Sequence, residues 1–226
     1  MRRFAVAIAV VAVVFASAGI ARADRAGPSP VPERAIKADL VIVGKAVGFE
    51  KETVQAVPYV GAKDKVAYQI ATVKIDTGLI GADKFKEIKV GFIARAGVAP
   101  RRGWADFELK EGQELLLFLM KHPTADFYTT NWMFVPVDVK TEPGKQDLER
   151  VKRIAAVLAD PKKALMDDKA EVRSEAAAIV ILKHRNVSPL GGETEQVAIP
   201  ADESKVLLKA LTEGNWSVRN SRYGLD

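Results

Sequence analysis

The chain of 226 residues contains no cysteine, and that absence closes several routes at once. It excludes disulfide staples, thiolate zinc ligands, a thiol nucleophile and the lipid attachment that marks an exported lipoprotein. Histidine is nearly as scarce, with His122 and His184 the only two, and no His-Glu-x-x-His or similar zinc spacing exists. Two histidines far apart in the chain are a weak basis for acid–base chemistry. A phosphate-cradling glycine loop and a Gly-x-Ser-x-Gly turn are missing too, which disfavours nucleotide chemistry and serine hydrolysis. No metal, cofactor or enzymatic activity is expected from these counts.

An excess of one charge sign is also lacking. Residues 36–140 carry 15 basic and 13 acidic side chains, and residues 141–226 carry 14 of each. Phosphate backbones are usually gripped by a clear basic surplus, so nucleic acid is not an expected partner. After residue 23 no apolar run approaches the roughly 20 residues needed to span a bilayer.

What is present begins with an export signal over residues 1–23. Arg2 and Arg3 form a basic start, Phe4 to Phe15 an apolar segment, and Ala21-Arg22-Ala23 a small-residue cleavage site before Asp24. The expected location is therefore periplasmic or extracellular, with membrane contact only through the signal before cleavage. The alternative is retention of the segment as an N-terminal anchor. Cleavage would remove three arginines and leave 31 basic against 29 acidic residues.

Residues 24–35, with Pro28, Pro30 and Pro32, read as an extended proline-rich tether. From residue 36 to 140 the apolar period is two. Val41, Val43, Val47 and Phe49 predict a first strand with one buried face. Val66 to Ile75 changes phase, which predicts a bulge near Thr72. Ile88, Val90 and Phe92 mark a third strand, and the apolar run Leu115 to Met120 marks a central one covered on both faces. Tyr128 to Val135 alternates as a last strand. Five strands of unequal length fit a small closed barrel.

Beyond Glu142-Pro143-Gly144 the period becomes helical. Leu148, Val151, Ile154, Ala155 and Leu158 form one stripe, Asp160 caps a short helix, and Asp168 is expected to cap a helix from Lys169 to Arg185. Its buried stripe is Val172, Ala176, Ile179 and Val180. A last helix runs from Asp202 to a Gly214 cap. Lys163-Ala164-Leu165 with Val172-Arg173 recurs 46 residues later as Lys209-Ala210-Leu211 with Val218-Arg219, a spacing in the range of helical-hairpin repeats. The second copy stops at Asp226, where the array reads as truncated.

The run from Ala38 to Val47 followed by Val66-Ala67-Tyr68-Gln69-Ile70 resembles the opening of TIMP and netrin-type OB-fold modules, over about 40 residues. Those modules are secreted barrels. TIMP-type inhibition uses an N-terminal cysteine on the protease zinc, and without cysteine that mechanism does not carry over. Asp168 to Ala177 is similar to the Asp…Val-Arg…Ala-Ala signature of HEAT-like repeats. The whole arrangement resembles uncharacterised exported bacterial proteins, which implies an architecture and no activity. The fold class is thus β + α, a small OB-like barrel over 36–140 followed by an all-helical, HEAT-like domain over 145–226.

Candidate site residues are few. Arg95, Arg101, Arg102 and Trp104 share one inter-strand loop, a basic and aromatic group able to hold an anion or a polysaccharide. Asp106 and Glu108 share a strand face and could act as paired carboxylates. Phe127, Tyr128, Trp132 and Phe134 read as core more than as a ligand platform. His122, beside Pro123, is expected in an exposed turn, and His184 at a helix C-terminus, where it favours the dipole. Asn186-Val187-Ser188 and Asn215-Trp216-Ser217 match glycosylation sequons. The expected activity is non-enzymatic binding of a protein or envelope glycan, with a zinc-independent protease inhibitor or a carboxylate-dependent hydrolase as alternatives.

Overall fold

Runs of β-branched and large aliphatic residues build the first half into strands. The computed structural model describes residues 27–93, 109–131, 133–194 and 198–214. In chain order these hold α1 (Val31–Lys37), β1 (Leu40–Phe49), β2 (Val54–Ala56), β3 (Val66–Ile80), β4 (Glu87–Ile93), β5 (Glu114–Lys121), β6 (Tyr128–Thr129) and β7 (Val137–Asp138). The helices α2 (Glu142–Ala159), α3 (Pro161–Leu165), α4 (Ala170–His184) and α5 (Ala201–Thr212) follow. The structure is a mixed β + α fold, with one seven-stranded sheet and most of its helices in the C-terminal half.

β1 pairs antiparallel with both β3 and β5, so both its edges are occupied. β3 continues to β4 antiparallel, β4 to β6 parallel, and β6 to β5 antiparallel. Pairing that leaves β1 through β3 therefore comes back to it through β5. β2 adds to β3, and β7 to β5. The apolar run of β5 is buried from Leu115 to Met120 on both faces, as its lack of alternation predicts.

The first strand departs from expectation, because it too is buried on both faces over Leu40–Val43. Leu40 and Ile42 join Leu115, Leu117 and Leu119 on one side. Val41 and Val43 join Leu116, Phe118 and the helices on the other. The expected bulge near Thr72 is there in position but lies on the opposite strand. Ala46 faces Val73 and Gly48 faces Thr72, so Val47 is the extra residue, on β1.

Two further expectations fail for local reasons. Tyr128 to Val135 is not one strand, since β6 ends at Thr129. The Asn131 side-chain oxygen accepts from the Met133 and Phe134 amides at 2.9 and 3.2 Å, a turn that competes with strand pairing. The tether over residues 24–35 is, from Val31 onward, a helix packed into the core. Pro30 caps it and Pro32 occupies its first turn, where no amide hydrogen bond is required. Val31, Ala35 and Ile36 supply its buried face.

That short helix is held firmly. The Arg34 guanidinium donates to Ser29 O at 2.7 Å and to Val135 O, and lies over the Phe118 ring. Lys183 Nζ donates to Ile36 O at 3.0 Å and Ala38 O at 3.5 Å, while Asn186 Nδ2 donates to Lys37 O at 3.1 Å. Side chains from α4 and the residues after it thus satisfy the last carbonyls of α1. Burial pulls the Lys183 pKa down, and Asp39 opposes that shift.

The change of period at residues 140–145 is a change of secondary structure rather than a break in the core. One apolar cluster joins Val31 and Ile36 of α1, Val41, Val43, Leu116 and Phe118 of the sheet, and Val151, Ile154, Ile179 and Leu190 of the C-terminal half. Val60 N also donates to Leu190 O at 2.8 Å. Residues 27–140 expressed alone are expected to unfold without a cooperative transition, because the outer side of β1 and β5 would be stripped of its cover. A thermal melt by circular dichroism checks this, and a sharp transition close to that of the full chain would refute it.

Candidate functional site

His122 is the residue whose environment differs most from its sequence reading. It is 2% exposed rather than in an open turn. The Leu115–Met120 run places it at the end of β5, where the chain folds back and Phe127 O accepts from the His122 amide at 3.0 Å. Its ring lies edge-on to Tyr68 and tilted against Phe127, with centroids 5.3 and 4.6 Å away. Nδ1 accepts from the Thr124 and Ala125 amides at 3.2 and 3.1 Å. That fixes the proton on Nε2, which donates to Val57 O at 2.9 Å. Burial lowers its pKa, with the Val57 hydrogen bond acting the other way. Every ring nitrogen is engaged in holding the 122–127 turn against the segment after β2, so His122 is a structural residue.

His184 lies in the last turn of α4, as expected, with Nε2 3.3 Å from Glu203 Oε1 of α5. Asp160 caps α3 through the Lys163 amide at 3.0 Å. The cap expected at Asp168 is not made: Lys169 precedes α4 without a side-chain cap, and Asp167 accepts from the Lys169 amide at 2.9 Å. Of the predicted α4 stripe, Ala176, Ile179 and Val180 are buried and Val172 only half-buried. Asn186 carries its sequon on an amide nitrogen already bound to Lys37 O, so a glycan there would have to break the α1 contact. Phe127 and Phe134 are core, at 6% and 1% exposure.

Arg95, Arg101, Arg102 and Trp104 lie outside the described residues, as do Asp106, Glu108, Trp132 and the sequon at Asn215. The 1–23 signal, Val218 and Arg219 of the second repeat copy, and the chain end at Asp226 lie outside them as well. Among the described residues no group of three or more His, Asp or Glu side chains could hold a metal ion. No helix among them is long and apolar enough to cross a membrane.

One open groove brings both halves of the chain together and was not legible as a motif. α2 lies along the outer side of the sheet because Val151 and Ile154 bury against it. Between helix and sheet runs an open groove of about 440 Å³. Val43, Val139 and Leu148 give it an apolar floor, Thr77 of β3 and Glu114 of β5 give it polar groups, and Lys140, Lys145 and Lys152 line it from the helix side. Lys145 and Lys152 stand seven residues apart, two turns of helix, and so share a face. Only the sequence signal of that spacing was available beforehand. Their convergence with Thr77 and Glu114 depends on where β3 and β5 sit.

Electrostatically the groove is mixed. Lys145 pairs with Glu142 at 2.6 Å and Lys152 with Glu149 at 2.7 Å, both three residues away on α2. These glutamates are 78% and 63% exposed, and such surface pairs hold their partners weakly. The lysines are therefore free to turn toward a ligand. Neither histidine lines the groove. Comparison with known protein families and with curated proteins returns no match for this chain.

Proposed function

We propose that this protein is an exported, non-enzymatic binding module in which a small OB-like barrel and a HEAT-like helical segment form one body and present a groove to a partner macromolecule. The barrel reading is supported by pairing that runs β1–β3–β4–β6–β5 and returns to β1, with β4 and β6 parallel. The helical reading is supported by α3, α4 and α5 sharing one apolar cluster through Leu165, Ala176, Val180 and Leu207. Arg173, in the repeat-like segment, is clamped between Asp167 O and the Glu213 carboxylate. Export is supported by the composition of residues 1–23.

The observation that carries the binding reading is the groove between α2 and the sheet, where both halves contribute side chains to one open surface. Its polar groups are solvent-facing, whereas those of His122 are consumed by the fold. The test is capture of a partner from the exported fraction of the source cell by the mature chain, against a Thr77→Trp variant. Thr77 is exposed on β3, so the indole fills the groove and leaves the core untouched. The variant is expected to keep its melting temperature and lose the partner. Equal capture by both proteins would remove the groove from the function.

A further inference from the structure

We propose that the α2 groove takes an acidic, partly apolar segment of a partner protein in extended conformation, with carboxylates about three residues apart. This rests on the binding-module reading above and adds the chemistry of its ligand. Lys145 and Lys152 are separated by seven residues of α2, about 10 Å along the helix axis. A polyproline-type chain advances about 9 Å in three residues and returns its side chains to the same side. Two carboxylates at that spacing meet both ammonium groups at once, and Lys140, just before the helix, extends the basic line by one more position.

The floor decides between a peptide and a uniform polyanion. Val43, Val139 and Leu148 offer a strip that suits an apolar side chain between the two acids. Glu114, half-buried in the same groove, would lie against a charge on every repeat of a nucleic acid or sulfated polymer. A peptide places a neutral residue there, and its backbone amide can donate to the Glu114 carboxylate. Among the described residues no aromatic side chain lines the groove, so there the stacking that holds single-stranded nucleic acid has no platform. The competing Glu142 and Glu149 are exposed intrahelical partners, and a ligand carboxylate that also buries apolar surface displaces them. An encounter of this kind is steered by charge and weakens with salt.

The experiment is selection of a random peptide display library on mature wild-type protein, with a Lys140→Gln/Lys145→Gln/Lys152→Gln variant and Thr77→Trp as counter-targets. Selected peptides are synthesised and titrated by fluorescence anisotropy at low and physiological salt. Enriched peptides should carry paired acidic residues three apart flanking an apolar one. Their affinity should fall about tenfold or more on the triple variant, and on raising salt. All three lysines are exposed, so both counter-targets are checked for an unchanged melting temperature. Peptides without acidic residues that bind wild type and fail on Thr77→Trp would overturn the acidic class and leave the groove as a binding site. Peptides that bind all three proteins equally would overturn the groove itself. Binding of polygalacturonate, with no peptide enriched, would assign the lysines to a glycan and reject the proposal.

Discussion

Replacing Gly144 with alanine is expected to destabilise the protein by about 2–3 kcal/mol, although alanine is the better helix former. Gly144 lies in the first turn of α2, and a Cβ there would overlap the carbonyl oxygen of Asp138, with the carbonyl carbon at 2.8 Å and Thr141 Oγ1 at 2.9 Å. These atoms cannot retreat. Thr141 Oγ1 donates to Asp138 O at 2.9 Å and accepts from the Gly144 amide at 3.1 Å, and Lys145 N donates to Thr141 O at 2.9 Å. The methyl group must push β7 away from α2 or undo the cap. Because α2 forms one wall of the groove, ligand binding should weaken together with stability. Urea unfolding gives the measurement, and a midpoint at or above wild type would show that the β7–α2 junction has slack.

Replacing His122 is the second large effect, and pH reveals it without a mutation. The native ring is neutral, and its depressed pKa means that the unfolded chain, with histidine near 6.5, takes up the proton first. Between that value and the lower native one the unfolded state binds more protons, so stability rises with pH across the window. His122 therefore contributes fully above about pH 6.5 and loses its contribution as the solution is acidified. A proton on Nδ1 would face the Thr124 and Ala125 amides, which are donors already aimed at that nitrogen. His122→Asn keeps an acceptor for those amides and removes both the titration and the Val57 contact. The variant should be less stable than wild type at pH 7.5, with a flatter fall toward pH 5. His122→Ala should cost about 3 kcal/mol, since Val57 O and two turn amides lose their partner and the Tyr68–Phe127 packing opens. Parallel pH dependences in wild type and His122→Asn would assign acid lability to other groups.

Both effects concern residues that sequence patterns misplace, and for the same kind of reason. Gly144 follows proline and falls just before the helical domain expected from residue 145, yet it is helical, because Thr141 caps and Pro143 is tolerated in a first turn. His122 sits between lysine and proline, a setting that reads as exposed. What buries it is Tyr68, more than fifty residues earlier, and the Val57 carbonyl beyond β2. Pro30 and Pro32 mislead in the same way, since the stripe that makes α1 a core helix needs Phe134 and Val151 to cover it.

The sequence by itself determined the change from a mainly β stretch to a helical one, the buried run of β5, the Asp160 cap and the lack of any thiol or zinc motif. These follow from local period, capping chemistry and composition, which are read over a few residues. Tertiary structure alone decided that the two halves share a core, that α4 secures the carbonyls of α1, and that Lys140, Lys145 and Lys152 face Thr77 and Glu114 across one groove. Those relations depend on strand pairing between residues up to about eighty positions apart, as in Leu40 with Leu119. Burial is a property of what lies opposite, and a single strand or helix carries no record of its neighbour.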